Sequence, residues 1–324
     1  MASVSDWQPT ASLEILRHRA RLLSHTRHFF EERQVLEVDT PALINNAVTD
    51  IHLRPLEVRL ASDTKYLHTS PEYAMKRLLA AGSGDIYQLC HVYRGEEQSR
   101  HHNAEFMLLE WYRVGFDMES LIAEVMDLLD RYSQALDLPA RPRIQQRYRD
   151  LLREQLAIDP LEIEHSALRD LACQHGLDSV SAKALSRDEL LDFLVGSVVG
   201  PTLGQGSWLA LTHYPASQAA LAELDPQDLA VALRFEIYAD GIELANGFVE
   251  LTDVTEQRQR FERDNLVRRQ AGLADYALDE RLLAALDAGI PKCAGVALGF
   301  DRALMVCSGA TSIKDVMSFT TERA

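Results

Sequence analysis

The 324-residue chain is 47% hydrophobic and 25% charged, with a formal net charge of −16. That length allows a sizeable buried core, and no apolar run approaches the roughly 20 residues of a membrane-spanning helix. The acidic balance excludes loose, salt-driven adhesion to nucleic acid, and the first residues lack the basic-then-apolar pattern of a secretory leader. The expectation is a soluble, cytoplasmic protein. Cys90, Cys173, Cys293 and Cys307 are dispersed with no C-x-x-C pair, as reduced, buried thiols would be.

In chain order, Ser12 is placed to cap a helix running to about residue 34, with Leu13, Leu16, Ala20, Leu23 and Phe30 at helical spacing. It ends near VLEVDTP, where Pro41 stops regular structure. Residues 51–70 alternate as short strands do, and Pro71 opens a helix, EYAMKRLLAAG, closed by Gly82. Strands are predicted at 85–94 and 105–114, an antiparallel hairpin carrying the charged loop EEQSRHHN, and Asp117 caps the next helix.

The stretch from about 140 to 226 reads as irregular and helical, with a capping box at Ser186 and Glu189 and a turn in VVGPTLGQGSW. Its start, RPRIQQRYRDLLR, is a local basic patch that reads most simply as a solvated helix face. Strands return at 209–213, 234–239 and 241–251, helices follow from Thr255 and Leu278, and the last strand-to-helix unit is CAGVALGFDRALMVCSG. The sum is an α+β fold, an antiparallel sheet flanked by helices, in a single domain with a helical insertion at about 140–226.

Chemistry concentrates in YRGEEQSRHHNAEFMLLEWY and in GFDR. Arg94 and Arg302 carry fixed charges on planar forks suited to phosphate oxygens, and Phe106 offers a flat face for a base or simply fills the core. Glu72, Glu96, Glu110 and Glu250 flank these motifs, as a substrate bearing two amines requires; Glu72 equally suits a helix N-terminus. Glu243 and Glu250 in GIELANGFVEL are either a magnesium-binding pair or exposed glutamates of a hairpin. Seven residues apart, they share a face only if the strand is bulged between them, for which Asn246-Gly247 is the candidate.

Together these segments resemble the class II aminoacyl-tRNA synthetases, in particular the lysyl-tRNA synthetase branch. The first helix with VLEVDTP resembles motif one, YRGEE…HHNAEF motif two and GVALGFDRALM motif three, joined in order by TSPEYAMKRLL and ELANGFVEL. The resemblance runs from about Arg17 onward and implies ATP and Mg²⁺ as cofactors and a homodimer formed through motif one. It implies that Arg94 contacts the α-phosphate and Phe106 the adenine, with Glu96 and the backbone near Leu244 on the nucleotide. His102 and Arg302 then belong toward the outer phosphates with Asn103 nearby, Gly299 belongs to the ATP site, and Ser70, Glu72, Glu110, Tyr112, Asn246, Glu250 and Ala297 shape the amino-acid pocket. Glu243 with Glu250 is implied to hold Mg²⁺.

Three departures stand in motif two, where Gly95, Ala104 and Met107 replace the usual asparagine, proline and threonine; the charged and aromatic residues are kept. Motif three has Ala297 where tRNA-charging lysyl enzymes typically have glycine. No segment ahead of motif one is expected to read an anticodon. A catalytic domain standing alone in this branch implies activation of (R)-β-lysine or lysine and transfer to a lysine side chain of translation elongation factor P. The rival expectations are a free-standing enzyme that charges tRNA with lysine and a non-catalytic amino-acid-binding paralogue.

Overall fold

In the computed structural model, which describes residues 7–51, 53–61, 63–95 and 99–324, the chain divides into two compact units. One is Met1–Ala140 with Glu250–Ala324, the other Arg141–Val249. The second unit takes in the stretch expected as a helical insertion, about 140–226, together with strands up to residue 249.

The first unit opens with helix α1, Leu13–Glu31, capped as expected by the Ser12 hydroxyl, which accepts from the Ile15 amide at 3.2 Å. Its buried face is Leu22, Thr26, Phe29 and Phe30, whereas Leu13 is 66% exposed. Strands β1 (Leu36–Glu37), β2 (Leu43–Ile44), β3 (Leu56–Arg59) and β4 (Thr64–Leu67) follow, then helix α2 (Glu72–Ala80). Strands β5 (Ile86–Tyr93) and β6 (Glu105–Val114) and helix α3 (Met118–Ala135) complete its first segment.

The second unit contains β7 (Arg143–Arg147), α4 (Tyr148–Leu156), α5 (His165–Gln174), α6 (Ser179–Ala184), α7 (Arg187–Phe193), β8 (Trp208–Pro215), β9 (Leu224–Asp225), β10 (Asp228–Ala239) and β11 (Ile242–Val249). Returning to the first unit, the chain forms α8 (Val254–Gln270), α9 (Glu280–Gly289), β12 (Cys293–Gly299) and α10 (Phe300–Ser308).

In the first unit β1, β5, β6 and β12 lie side by side, β2, β4 and β3 forming a separate small sheet. β5 and β12 flank β6 antiparallel, while β1 pairs parallel to β5, so the sheet is mixed at its edge. Register sorts the two faces, because successive side chains alternate. Leu89, Leu109 and Leu298 share a row on the helix-covered side, next to Tyr87, Trp111 and Val296. Phe30 of α1 stacks on Tyr87 with ring centroids 4.3 Å apart, and the Trp111 indole donates to Glu124 of α3 at 3.0 Å. The opposite face carries Ile86, Tyr112 and Gly295, then Gln88, Glu110 and Ala297. Core packing on one side therefore turns Glu110 and Tyr112 to the other.

In the second unit β11, β10, β8 and β7 are adjacent, β7 and β8 parallel and the other pairs antiparallel. Tyr148, Leu151 and Leu152 of α4 and Leu190 and Leu191 of α7 form its core with Leu209, Leu211 and Tyr214 of β8. The Ser186–Glu189 capping box forms as expected. In the Gly-rich stretch a short helical segment, Gly200–Thr202, leads into the turn: Gly204 has φ +63° and lies against the Tyr238 carbonyl, where a side chain does not fit. The basic patch divides between β7 and α4, Arg141 pairing with Asp240 at 2.8 Å and Arg149 and Arg153 both with Asp159.

Candidate active site

Motif two forms because β5 and β6 pair without a break up to Tyr93 opposite Glu105. The Arg94 amide then donates to the Ala104 carbonyl at 2.8 Å, extending the hairpin by one rung. Arg94 turns its guanidinium over the Phe106 ring, 5.0 Å from the centroid, and its Nε reaches the Thr69 carbonyl at 3.4 Å. Further along the loop Ser99 and His102 make a tight turn, with Ser99 Oγ 2.7 Å from His102 Nδ1.

Arg302, in the first turn of α10, brings Nη2 to 2.6 Å from His102 Nε2 and Nε to 3.3 Å from the His101 carbonyl. A guanidinium only donates, so His102 Nε2 accepts and Nδ1 carries the proton toward Ser99. Burial, then the charges of Arg302, His101 and Arg94, pull the His102 pKa down to about 4, leaving a neutral imidazole. His102 is thus the point where both arginines expected to embrace the nucleotide are felt.

Asp301, 1% exposed, ties three distant segments. It accepts from Arg19 of α1 and, through Oδ2, from the Met107 amide of β6 at 2.7 Å. One carboxylate therefore sets the position of α10, and with it Arg302, against motif two. The Asn103 amide group donates to the Glu105 carbonyl at 2.6 Å and accepts from the distant Thr321 hydroxyl at 3.2 Å.

The second cluster is built on α2, β6 and β12, all in the first unit. Ser70 Oγ accepts from the Glu72 amide at 3.0 Å and donates to Glu110 Oε2 at 2.6 Å; the Tyr112 hydroxyl donates to Glu110 Oε1 at 2.7 Å. Lys76, 2% exposed, lies between Glu72 (2.7 Å) and Glu250 (2.5 Å). Glu250 Oε1 makes no hydrogen bond and packs against Gly295, where a Cβ would overlap both it and the Tyr112 ring. Burial pushes the Glu110 carboxyl up to about 7 and that of Glu250 up to about 8, opposed for Glu250 chiefly by Lys76. Lys76, held by the two carboxylates, stays charged. Three carboxylates facing one ammonium leave an excess of two negative charges when all are ionised, and a low-polarity site resists that excess.

Of the other expected positions, Glu96 lies outside the described residues. Glu243, Leu244 and Asn246 belong to β11 of the second unit. The expected bulge exists but sits at Leu244, where the register passes from Ile237–Ala245 to Tyr238–Glu243; Asn246 and Gly247 are ordinary paired residues, not a hairpin tip. Arg234 donates to Asn246 Oδ1 at 3.3 Å. Glu250, the other expected magnesium ligand, has Oε2 paired with the Lys76 ammonium at 2.5 Å, while its Oε1 makes no hydrogen bond. Among the described residues no group of three or more His, Cys, Asp or Glu is placed to hold a metal ion.

The sequence reading passed over Lys76, Gly295 and Asp301. Lys76 had a signal in its i, i+4 spacing from Glu72, and Gly295, inside a strand, marks a close approach. Asp301 had none beyond its place next to Arg302.

An arginine-bearing hairpin, a strand-to-helix arginine and a buried carboxylate cluster on one antiparallel core define a class II synthetase catalytic domain. The chain belongs to that family: the family model described as tRNA synthetases class II (D, K and N) matches residues 3–323. Among curated relatives, the elongation factor P–(R)-beta-lysine ligase of Pasteurella multocida is 48% identical over 330 residues, covering 100% of both chains. The proteins of the same name from Pectobacterium atrosepticum and Klebsiella pneumoniae are 48% and 47% identical, again over 100% of both chains.

Proposed function

We propose that this chain is an ATP-dependent ligase that activates (R)-β-lysine, or lysine, and transfers it to a lysine side chain of elongation factor P. The observation that carries the substrate class is the charge count of the carboxylate cluster. Glu72, Glu110 and Glu250 against Lys76 leave two negative charges, which the two ammonium groups of a lysine isomer neutralise. The names of the full-length relatives support the acceptor.

In the first step the substrate carboxylate attacks the α-phosphorus, the bond to the β-phosphate oxygen breaks, and pyrophosphate leaves an acyl-adenylate. Arg94 is proposed to neutralise the α-phosphate while Phe106 stacks on adenine, and Arg302, oriented by neutral His102, to hold the outer phosphates as the donor. In the second step a neutral acceptor amine attacks the acyl carbon, AMP departs with the bonding pair, and the amine loses a proton as the amide forms. Orientation and charge neutralisation supply the rate, with no covalent enzyme intermediate. Mg²⁺ accompanies ATP in this reading, with Glu243 and Glu250 its proposed protein ligands. We also propose a cytoplasmic homodimer using α1 and β1, where Leu13 and Leu36 are 66% and 55% exposed; no helix among the described residues is long and apolar enough to cross a membrane.

Incubating elongation factor P with ATP and each lysine isomer, followed by intact-mass and peptide mass spectrometry, tests the proposal. A stable gain of one lysyl residue on a lysine supports it. An acid-labile ester on tRNA in its place would establish the tRNA-charging alternative.

A further inference from the structure

Gln88 lies on β5 directly opposite Glu110, which in turn faces Ala297, so the three form one row across the cluster's side of the sheet. Its side chain is buried, the residue being 2% exposed, and its Oε1 has no hydrogen-bond partner. The Cys90 thiol, next on the same face, is within its reach but is a weak partner. Native cores rarely leave a buried carboxamide oxygen unmet, and such groups persist where something else completes them. Glu110 beside it is already fixed in orientation, since Ser70 and Tyr112 each donate to one of its oxygens.

We propose that Gln88 is a substrate-positioning residue whose side-chain carbonyl accepts a hydrogen bond from the same substrate ammonium that Glu110 neutralises. The inference rests on the functional reading above. An ammonium has three N–H donors and needs more than one acceptor, and two carboxylates on it would disturb the charge count. A neutral amide supplies the second acceptor without a fourth negative charge. The lone methyl of Ala297 at the end of the row leaves that side open for the substrate chain.

The test is ATP–pyrophosphate exchange by the full chain with (R)-β-lysine, comparing wild type, Gln88→Met and Gln88→Glu, with thermal unfolding of each in the absence of substrate. Gln88→Met keeps the volume and is expected to raise KM for the amino acid about 10-fold, as for loss of a hydrogen bond to a charged group. KM for ATP stays unchanged and Tm is equal or higher, because an unmet polar group has been removed. Gln88→Glu adds a carboxylate beside Glu110 and moves the pH at which binding saturates upward. A lowered Tm with unchanged KM in Gln88→Met, or an unmoved pH profile in Gln88→Glu, overturns the proposal and leaves Gln88 a core residue. Wild type that exchanges with no lysine isomer overturns the functional reading itself; active wild type matched by both variants removes only the role of Gln88.

Discussion

Lys76 and Glu250 are held 2.5 Å apart with side chains 2% and 1% exposed, a buried ion pair linking the residue that opens the chain's last segment to the middle of α2. Removing one partner of such a pair strands the other charge in the core. Lys76→Met is expected to destabilise the protein by about 3–5 kcal/mol, measured by urea unfolding. Adding Glu250→Gln to it recovers part of that loss, because the two groups are coupled. Additive losses would show that the pair does not act as a unit.

Glu110 and Glu250 both titrate above the ordinary carboxyl value of 4.5, through burial. Between that value and their raised ones the folded protein binds more protons than the unfolded chain. Without substrate, their contribution to stability therefore falls as pH rises from about 5 to about 8. Affinity for a diamino acid moves the other way, since its ammonium groups need the ionised carboxylates, and binding releases protons within the window. Calorimetry at pH 7 in two buffers of different ionisation enthalpy measures this release; equal apparent enthalpies would contradict it.

Gly295 and Ala297 are two residues apart on β12 and differ in what they permit. Gly295→Ala places a methyl group into Glu250 and Tyr112 and is expected to cost about 1–3 kcal/mol of stability. The shifted carboxylate should also lower kcat/KM for the amino acid on the order of 100-fold. Ala297→Gly removes a methyl beside Glu110, and the ratio of kcat/KM for β-lysine over α-lysine should change by about 10-fold. Pyrophosphate exchange with both isomers reads each effect, and an unchanged ratio would remove Ala297 from the specificity argument.

Arg302 and burial keep His102 neutral. Arg302→Met removes a cation 2.6 Å from Nε2, so the imidazole should titrate above its present value of about 4 and toward the ordinary 6.5. NMR titration of the His102 ring resonance checks the direction. The same variant should lose about 10²–10³-fold in kcat/KM for ATP, as for loss of a positioned donor, while KM for the amino acid changes little.

Local rules made much of this legible. The caps at Ser12, Asp117 and Ser186 form where their side chains predict, and β6 occupies the expected residues, Glu105–Val114. What escaped depends on partners far along the chain. Leu13 stood on the predicted apolar stripe of α1 yet is exposed, since the unit buries the neighbouring stripe through Leu22, Thr26 and Phe29. Asn246-Gly247 drew the bulge by composition, but a bulge is set by the facing strand, and Tyr238 places it at Leu244. Sequence reading singled out the acids of the buried cluster; it passed over the lysine among them, whose i, i+4 spacing from Glu72 suits a solvated helix face equally well until the helix packs.

The shared carboxylate of Asp301 has a bearing on how activity first arises. Its partners, Arg19 and the Met107 amide, are 282 and 194 residues away in the chain, so they wait, during synthesis, for nearly the whole polypeptide. Long-range closure of this kind is intrinsically slow. Arg302 reaches its station only when that knot is tied, so a growing chain carries the Arg94 hairpin well before its second arginine is in place.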